Sequence, residues 1–487
     1  MHDQARRKGW KRMDISVGQQ REMEVTIRLL FQDSPTEHLP YALRPHMKAK
    51  GAVTWFFGRG EEGHELIIGL GERARFDLEA LRDAAGNAGR AAEKERVTEA
   101  CVTFDSLEPL FAAGLDRHSA VTAWTEGWLL GTYVFDRYLS KAQERSVSML
   151  HIACPGAEKA EQAIEWARIR AKGTCFARDL VNEPPNQLTP VSFVERLQNH
   201  FAARDVDVTV HRGEALERLQ MVGLITVGKG SVHPPAMVEI RYCTDPSLPL
   251  TALIGKGVTF DMGGMNVKAG RDISDARMDM GGAAAVAGAL DILTSVKARA
   301  NLLVLLPIAE NVPDGGAFLP SDVIRYPNGL SVQTANTDAE GRLILADALI
   351  HADRLGAKQA IDIATLTGNV GEALGLKLAG IWGDSGMTAK LIASGNDCGD
   401  RLWPMPLVDD YEELLKSDYA DMTNISPISY GGAIVAALFI RRFVADGMKW
   451  VHIDMAPPVQ AKATGGYRVM GATGYGARLL ADYVLAQ

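Results

Sequence analysis

Apolar positions come in short blocks through the first third of the chain, alternating with polar ones or running together. Residues 25–31, 51–57 and 65–70 have the period or density of strands, and 146–153 adds another before Cys154-Pro155-Gly156. Residues 77–92, rich in Ala, Arg and acids, predict a helix, which Gly86 and Gly89 weaken. From 158 to 181 apolar residues recur at helical spacing, among them Ala163, Ile164, Ala167, Ile169 and Ala171. That pattern stops at Asn182-Glu183-Pro184-Pro185-Asn186, because a residue before proline is pushed out of helical geometry.

Beyond it the period changes. Near-continuous apolar runs at 237–242, 250–260, 301–308, 360–365, 378–382 and 450–455 predict strands covered on both faces. Helical patterns at 282–295, 342–355 and 432–444 lie between them. Alternating β and α predicts an α/β chain, with a larger α/β/α domain around a mainly parallel or mixed central sheet. The organisation expected is a flexible basic leader over 1–22, a small α/β domain over 23–155, a linker helix over 156–182 and a catalytic domain over 183–487.

Composition alters this little. The chain has 487 residues, 47% hydrophobic and 23% charged, near the globular average. The net charge of −8 and the lack of a basic stripe argue against a nucleic-acid partner. Five scattered cysteines form no C-x-x-C pair, which points to a reducing, cytoplasmic setting. No apolar run approaches the roughly 18 residues of a membrane helix. The first twelve residues are basic with no apolar stretch behind them, unlike a secretory signal.

Several familiar motifs fail. Gly58 to Gly63 spells G-x-G-x-x-G, but a strand pattern follows where a dinucleotide fingerprint needs a helix, so a hairpin turn is expected. Gly223 to Lys229 resembles a P-loop, but Gly230 stands where the Mg²⁺-binding hydroxyl belongs. His64-Glu65 opens like H-E-x-x-H, but Ile68 follows. No G-x-S-x-G elbow is present.

Two segments carry candidate chemistry. One delivers Lys256 and Asp261 to the end of an apolar strand and continues through Gly263-Gly264, Lys268 and Asp279 to a Gly- and Ala-rich helix. The other is Asn336-Thr337-Asp338-Ala339-Glu340-Gly341-Arg342-Leu343, in which an extended backbone would put Asp338, Glu340 and Arg342 on one face. Four carboxylates on loops at strand ends repel one another unless divalent cations neutralise them, and oxygen-rich ligation suits Mn²⁺ or Mg²⁺ and can hold Zn²⁺. Taken singly, each residue has a plainer reading. Asp279 would be a helix cap, Asp338 and Glu340 a solvated loop, Lys256 a surface cation, and Lys268 and Arg342 ion-pair partners.

Together the two blocks resemble the leucyl aminopeptidase (cytosol aminopeptidase) family of two-metal exopeptidases. N-T-D-A-E-G-R-L is matched in full, and G-K-G-V-T-F-D-x-G-G and D-M-G-G are matched too. Arg178 to Asn182, Ala364 to Gly368, Lys416-Ser417-Asp418 with Asp421, His452-Ile453-Asp454 and Thr473 to Gly476 extend the likeness over about 165–487. The resemblance implies hydrolysis of the N-terminal peptide bond, releasing leucine and other apolar residues by attack of a metal-activated hydroxide. It implies that Asp261 and Glu340 bridge two metals (Zn²⁺, Mn²⁺ or Mg²⁺), with Lys256, Asp279 and Asp338 as further ligands. Lys256 would then be a neutral amine. Lys268 would polarise the scissile carbonyl, and Arg342 would hold a bicarbonate that takes a proton. Asn336, Thr365, Leu366 and Gly368 would line the cleft, with Ala276 against the first side chain. A homohexamer acting on peptides with a free N-terminus is implied, with no membrane partner; a DNA-binding regulator or an inactive scaffold is the competing reading. Three positions depart from the family: Met262 where Ser is usual, Ala269-Gly270 after Lys268 where Pro-Ser is usual, and Ala276 where relatives often carry Met.

Overall fold

The computed structural model describes residues 13–37, 39–59, 63–157, 160–270 and 272–487. The chain divides into two compact units. One runs through Lys172 and takes in Lys462–Gly471, and the other comprises Gly173–Ala461 and Ala472–Gln487.

The first unit is built on six strands: β1 (Asp14–Gly18), β2 (Val25–Phe31), β3 (Val53–Phe56), β4 (His64–Gly71), β5 (Glu99–Thr103) and β6 (Met149–Ala153), in the order β1-β6-β5-β2-β4-β3. All neighbours are parallel except β3 and β4. That antiparallel pair makes the G-x-G-x-x-G segment the connection of a hairpin; its Gly60, Glu61 and Glu62 lie outside the described residues. β1 corrects the reading of 1–22 as a loose leader. Ile15 and Val17 pack against the unit's core, and every residue of β1 registers with β6. Residues 1–12 lie outside the described residues.

Helices α1 (Leu78–Lys94) and α2 (Arg117–Gly131) pack together in this unit. Of the glycines that weakened the α1 prediction, Gly89 faces α2, where a Cβ would lie 2.7 Å from Thr132 Cγ2, and Gly86 faces the Lys462–Gly471 segment, where a Cβ would lie 2.4 Å from Gly466 O. A Cβ on Gly131 would lie 2.3 Å from the Cα of Gly86, so bulk at this crossing would force the backbones apart. The segment returning from the C-terminal region also docks here, with Gly466 N bonded to Asn87 Oδ1 and Tyr467 Oη to Glu79. Helix α3 (Ala160–Asn182) spans the division between the units.

The second unit has the mixed central sheet expected. Its strands are β7 (Asp207–His211), β8 (Ala236–Cys243), β9 (Thr251–Gly255), β10 (Gly257–Asp261) and β11 (Asn301–Asn311), then β14 (Gln359–Ala364), β15 (Ala379–Gly383), β16 (Leu402–Pro404) and β18 (Lys449–Asp454). Three short strands, β12 (Val323–Arg325), β13 (Ser331–Gln333) and β17 (Met422–Thr423), form a separate small sheet. The main order is β16-β15-β18-β14-β9-β11-β8-β7, with β10 paired to β11. The central β18, β14, β9 and β11 are parallel, and antiparallel pairings flank them. β9 is buried at every residue, which explains its unbroken apolar sequence. Helices α4 (Gly281–Ser295) and α5 (Gly341–Arg354) pack on the sheet, with α6 (Gly432–Arg441) against α5 and α7 (Ala477–Leu485) against α4.

The run read as one strand over 250–260 is two, broken at Lys256. Lys256 N still donates to Ile363 O on β14, but Lys256 O accepts from Ala283 N in the first turn of α4, so the strand is interrupted there and the side chain lies in the interior. The P-loop-like segment lies in a helix, Val222–Gly228. No described helix is long and apolar enough to cross a membrane.

Candidate metal centre

The central parallel strands converge their carboxyl ends on one cluster, the usual place for ligands in open α/β sheets. Asp261 ends β10, Lys256 follows β9, and Thr365 follows β14. The loop after Asp261 folds back: Gly263 N donates to Asp261 Oδ1 at 2.9 Å, and Lys268 N to Met262 O at 3.0 Å. This returns the Lys268 ammonium to Asp261 Oδ2 at 2.7 Å. The two sequence blocks are then tied together. Asn266 N donates to Thr337 Oγ1 and Thr337 N to Asn266 Oδ1, each at 2.8 Å. That exchange seats Asp338, which also pairs with Lys268.

Lys256 is the other anchor. Its Nζ lies 2.7 Å from Asp279 Oδ2, 2.9 Å from Glu340 Oε1 and 3.0 Å from Thr365 O. A Cβ on Gly341 would lie 2.7 Å from this nitrogen, so a larger residue after Glu340 would have to displace the Lys256 side chain. Thr365 Oγ1 donates to Asp279 Oδ1 at 2.8 Å. Asp279 therefore does not act as the cap of α4; the residue before that helix is Met280, and the Asp279 carboxylate is committed to Lys256 and Thr365.

One geometric expectation is corrected. The block from Asn336 is turned, not extended, and Glu340 has helical backbone angles, so Arg342 points away from Asp338 and Glu340. Arg342 Nη1 donates to Asn424 O at 2.8 Å and its guanidinium lies 6.0 Å from the Phe439 ring centre. Among the described residues it forms no ion pair, and its buried Nε has no hydrogen-bond partner.

Of the expected cleft residues, Thr365 touches the cluster directly. Asn336 Oδ1 accepts from Asp338 N at 2.8 Å, while Leu366 N bonds to Asp454 at 3.1 Å. Gly368 begins the helix Gly368–Leu374 beside open space, and Ala276 begins the short turn Ala276–Met280 that carries Asp279. Sequence reasoning gave no role to Asn311 or Asn424. Asn311 Nδ2 bridges Asp261 Oδ1 and Thr337 O at 2.9 and 3.0 Å. Asn424 accepts from Ala335 N and Asn336 N and donates to Asn336 O. Lone asparagines carry no spacing signal.

Four carboxylates against two lysines leave an excess of negative charge in a buried place. Asp261, Asp338 and Glu340 each offer an oxygen within 4.8 Å of the others. Glu340 is 1% exposed, and its Oε2 has no hydrogen-bond partner. Burial, helped by Asp261 and Glu340 and opposed by Lys268, pushes Asp338 up to about 6. Burial also raises Asp279 well above the carboxylate range, against the pull of Lys256. Burial would lower Lys256, but Asp279, Glu340 and Asp261 outweigh it and hold the ammonium above its usual range; Lys268 behaves likewise beside Asp261, Glu340 and Asp338. The neutral amine expected of Lys256 is thus not its state among bare carboxylates; divalent cations would have to displace the proton. Burial lowers Arg342 to about 10, which leaves it cationic at neutral pH.

A mixed α/β sheet with such a carboxylate-rich cluster at its strand ends can hold hard or borderline divalent cations. The sequence comparisons agree in kind. Residues 175–481 match the catalytic domain of the cytosol aminopeptidase family, and 50–142 match that family's N-terminal domain. A probable cytosol aminopeptidase of Persephonella marina is 36% identical over 434 residues, covering 88% of this chain and 87% of the relative. One from Syntrophotalea carbinolica is 39% identical over 426 residues, covering 86% and 84%. Among solved structures, the bottromycin maturation enzyme BotP in complex with Mn superposes with a TM-score of 0.86 at 31% identity, covering 96% of this chain and 99% of that one. The chain belongs to the cytosol aminopeptidase family, which makes it a peptidase hydrolase.

Proposed function

We propose that the protein is a dinuclear metal-dependent aminopeptidase that removes leucine and other apolar residues from peptides with a free N-terminus. The observation that carries this reading is the buried excess of carboxylate around Glu340, whose Oε2 has no hydrogen-bond partner among the described residues. The Mn named with BotP supports divalent cations here as well. Asp261, Asp279, Asp338, Glu340 and Lys256 would hold the ions. Bound there, divalent cations (Zn²⁺ or Mn²⁺, with Mg²⁺ a third candidate) would supply Lewis acidity and lower the pKa of water.

The chain's own groups do the rest. Lys268 is held by Asp261 and Asp338 at the edge of the cluster. Once cations take over those carboxylates, its ammonium can donate to the scissile carbonyl and stabilise the oxyanion that develops. Arg342, anchored through one nitrogen on Asn424 O, keeps donors for a small oxyanion, and bicarbonate in that place would accept a proton. Asp279, locked by Thr365, keeps Lys256 oriented. The family resemblance extends this reading to a cytoplasmic homohexamer. Chelated protein should regain cleavage of a chromogenic leucine amide on adding Mn²⁺ or Zn²⁺, and Asp338→Ala should bind less metal and lose that activity. Wild-type protein without metal-dependent cleavage would overturn the proposal.

A further inference from the structure

A second group of metal-ligating side chains lies in the same unit, away from the strand ends. His211 ends β7, Glu239 lies on β8, and His351 is on α5. β7 and β8 register Thr209 with Glu239 and His211 with Met237, so His211 and Glu239 are diagonal neighbours on one face of the sheet. His351 meets them from the helix. Glu340 immediately precedes this helix and His351 lies eleven residues further on, a rise of about 16 Å, so the two clusters cannot share an ion.

The carboxylate of Glu239 is divided. Its Oε1 accepts from Arg241 Nε at 3.2 Å. Its Oε2 faces both imidazoles, 3.0 Å from His351 Nε2 and 3.6 Å from His211 Nε2. A histidine–carboxylate pair accounts for the shorter contact alone. Among the described residues His211 Nε2 is shielded from solvent and has no hydrogen-bond partner, its one carboxylate contact being Glu239 Oε2 at 3.6 Å, beyond hydrogen-bond reach. A tetrahedral ion with bonds of 2.0–2.1 Å would separate its ligand atoms by about 3.3 Å, and the two observed edges fall on either side of that value. One ligand atom from each of the three residues lies within 4.8 Å of the others. The His211 and Glu239 side chains are 21% and 14% exposed, so an ion can enter from solvent, while His351 at 5% is fixed by the helix.

We propose that His211, Glu239 and His351 form a second divalent-cation site, separate from the carboxylate cluster, that takes a borderline ion of the Zn²⁺ type through two imidazole nitrogens and one carboxylate oxygen, with water completing the tetrahedron. Two nitrogens and one oxygen suit Zn²⁺ better than Mg²⁺ or Ca²⁺. The ion ties the β7–β8 edge to α5, the helix whose first turn carries Arg342, and it favours the folded chain by mass action.

The test uses the full-length chain equilibrated with buffered free Zn²⁺, followed by elemental analysis. His211→Gln should carry one zinc fewer per chain than wild type while keeping its cleavage of leucine amide. Asp338→Ala should lose zinc and activity without affecting the His211 site. Wild-type protein provides a second reading that needs no variant. Saturating Zn²⁺ should suppress carbethoxylation of His211 by diethyl pyrocarbonate, read by peptide mass spectrometry. Equal zinc content in wild type and His211→Gln, or unchanged modification of His211 with zinc, would overturn the proposal.

Discussion

Glu126 in the first unit and Glu340 in the second are almost wholly excluded from solvent, at 0% and 1% exposure, yet their surroundings differ. Glu126 sits on α2 with an arginine on each oxygen: Arg82 Nε lies 2.9 Å from Oε2, and Arg170 holds Oε1. Among the described residues Glu340 has an ion pair with Lys256 on Oε1 and no hydrogen-bond partner on Oε2. Its neighbours Asp261 and Asp338 add further negative charge. Asp347, on the same helix as Glu340, shows a third arrangement. Burial raises it well above its usual value, against backbone hydrogen bonds that include Leu224 N at 2.7 Å. A buried carboxylate therefore does not by itself mark a site. What distinguishes Glu340 is a charge left unneutralised beside others of the same sign, on loops at strand ends.

The comparison can be broken by substitution. Glu340→Ala should lower kcat/KM on leucine amide on the order of 10³-fold, because several kcal/mol of transition-state stabilisation would go with the ions. The same variant, chelated, should be no less stable than chelated wild type in urea, since an unpaired buried acceptor is removed. Glu126→Ala should do the reverse. Removing the buried carboxylate between Arg82 and Arg170 breaks a buried ion pair at a cost of about 3–5 kcal/mol, readable as a lower urea midpoint, while the folded fraction keeps its turnover. If Glu340→Ala proved the more destabilising of the two, the contrast would collapse. Ala276→Met should shift the preference among Leu, Phe and Trp amides by about tenfold toward the smaller side chain, the scale of a pocket contact; an unchanged ranking would remove Ala276 from the cleft. The smallest effect concerns pH. A carboxyl whose folded pKa is raised contributes stability that is full below its unfolded pKa, near 4, and is lost as pH rises through the folded value. Asp347→Asn should flatten that alkaline loss in a Tm series from pH 4 to 9, and an unaltered slope would show that Asp347 is ionised.

The central strands of the second unit were legible because they are buried on both faces, whereas edge strands such as β7 and helices such as Pro190–Phe201 and Ser385–Cys398 were not read from the sequence. Continuous apolar runs at β9, β11, β14 and β18 leave little choice of conformation. Shorter or weakly patterned pieces were not. β1 carries only two inward residues, Ile15 and Val17, and depends on β6 for its register. Lys462–Gly471 has no periodic signal, and its place in the first unit comes from backbone and side-chain bonds to residues nearly four hundred positions away.

The same division runs through the candidate site. Sequence alone determined which groups are available: the four carboxylates, Lys256, Lys268 and Arg342, on glycine-bearing segments at predicted strand ends. It also led to the family, through the full match of the N-T-D-A-E-G-R-L block and the G-K-G-V-T-F-D-x-G-G block. Only the tertiary structure decided how the groups divide. Lys256 faces Asp279 and Glu340, Lys268 faces Asp261 and Asp338, and Arg342 turns to Asn424. It also brought His211, Glu239 and His351 together from two strands and a helix. Local spacing cannot carry such information. Which charges oppose one another across a buried cluster depends on strand order and on where each chain segment leaves the sheet, and both are settled by packing the whole unit.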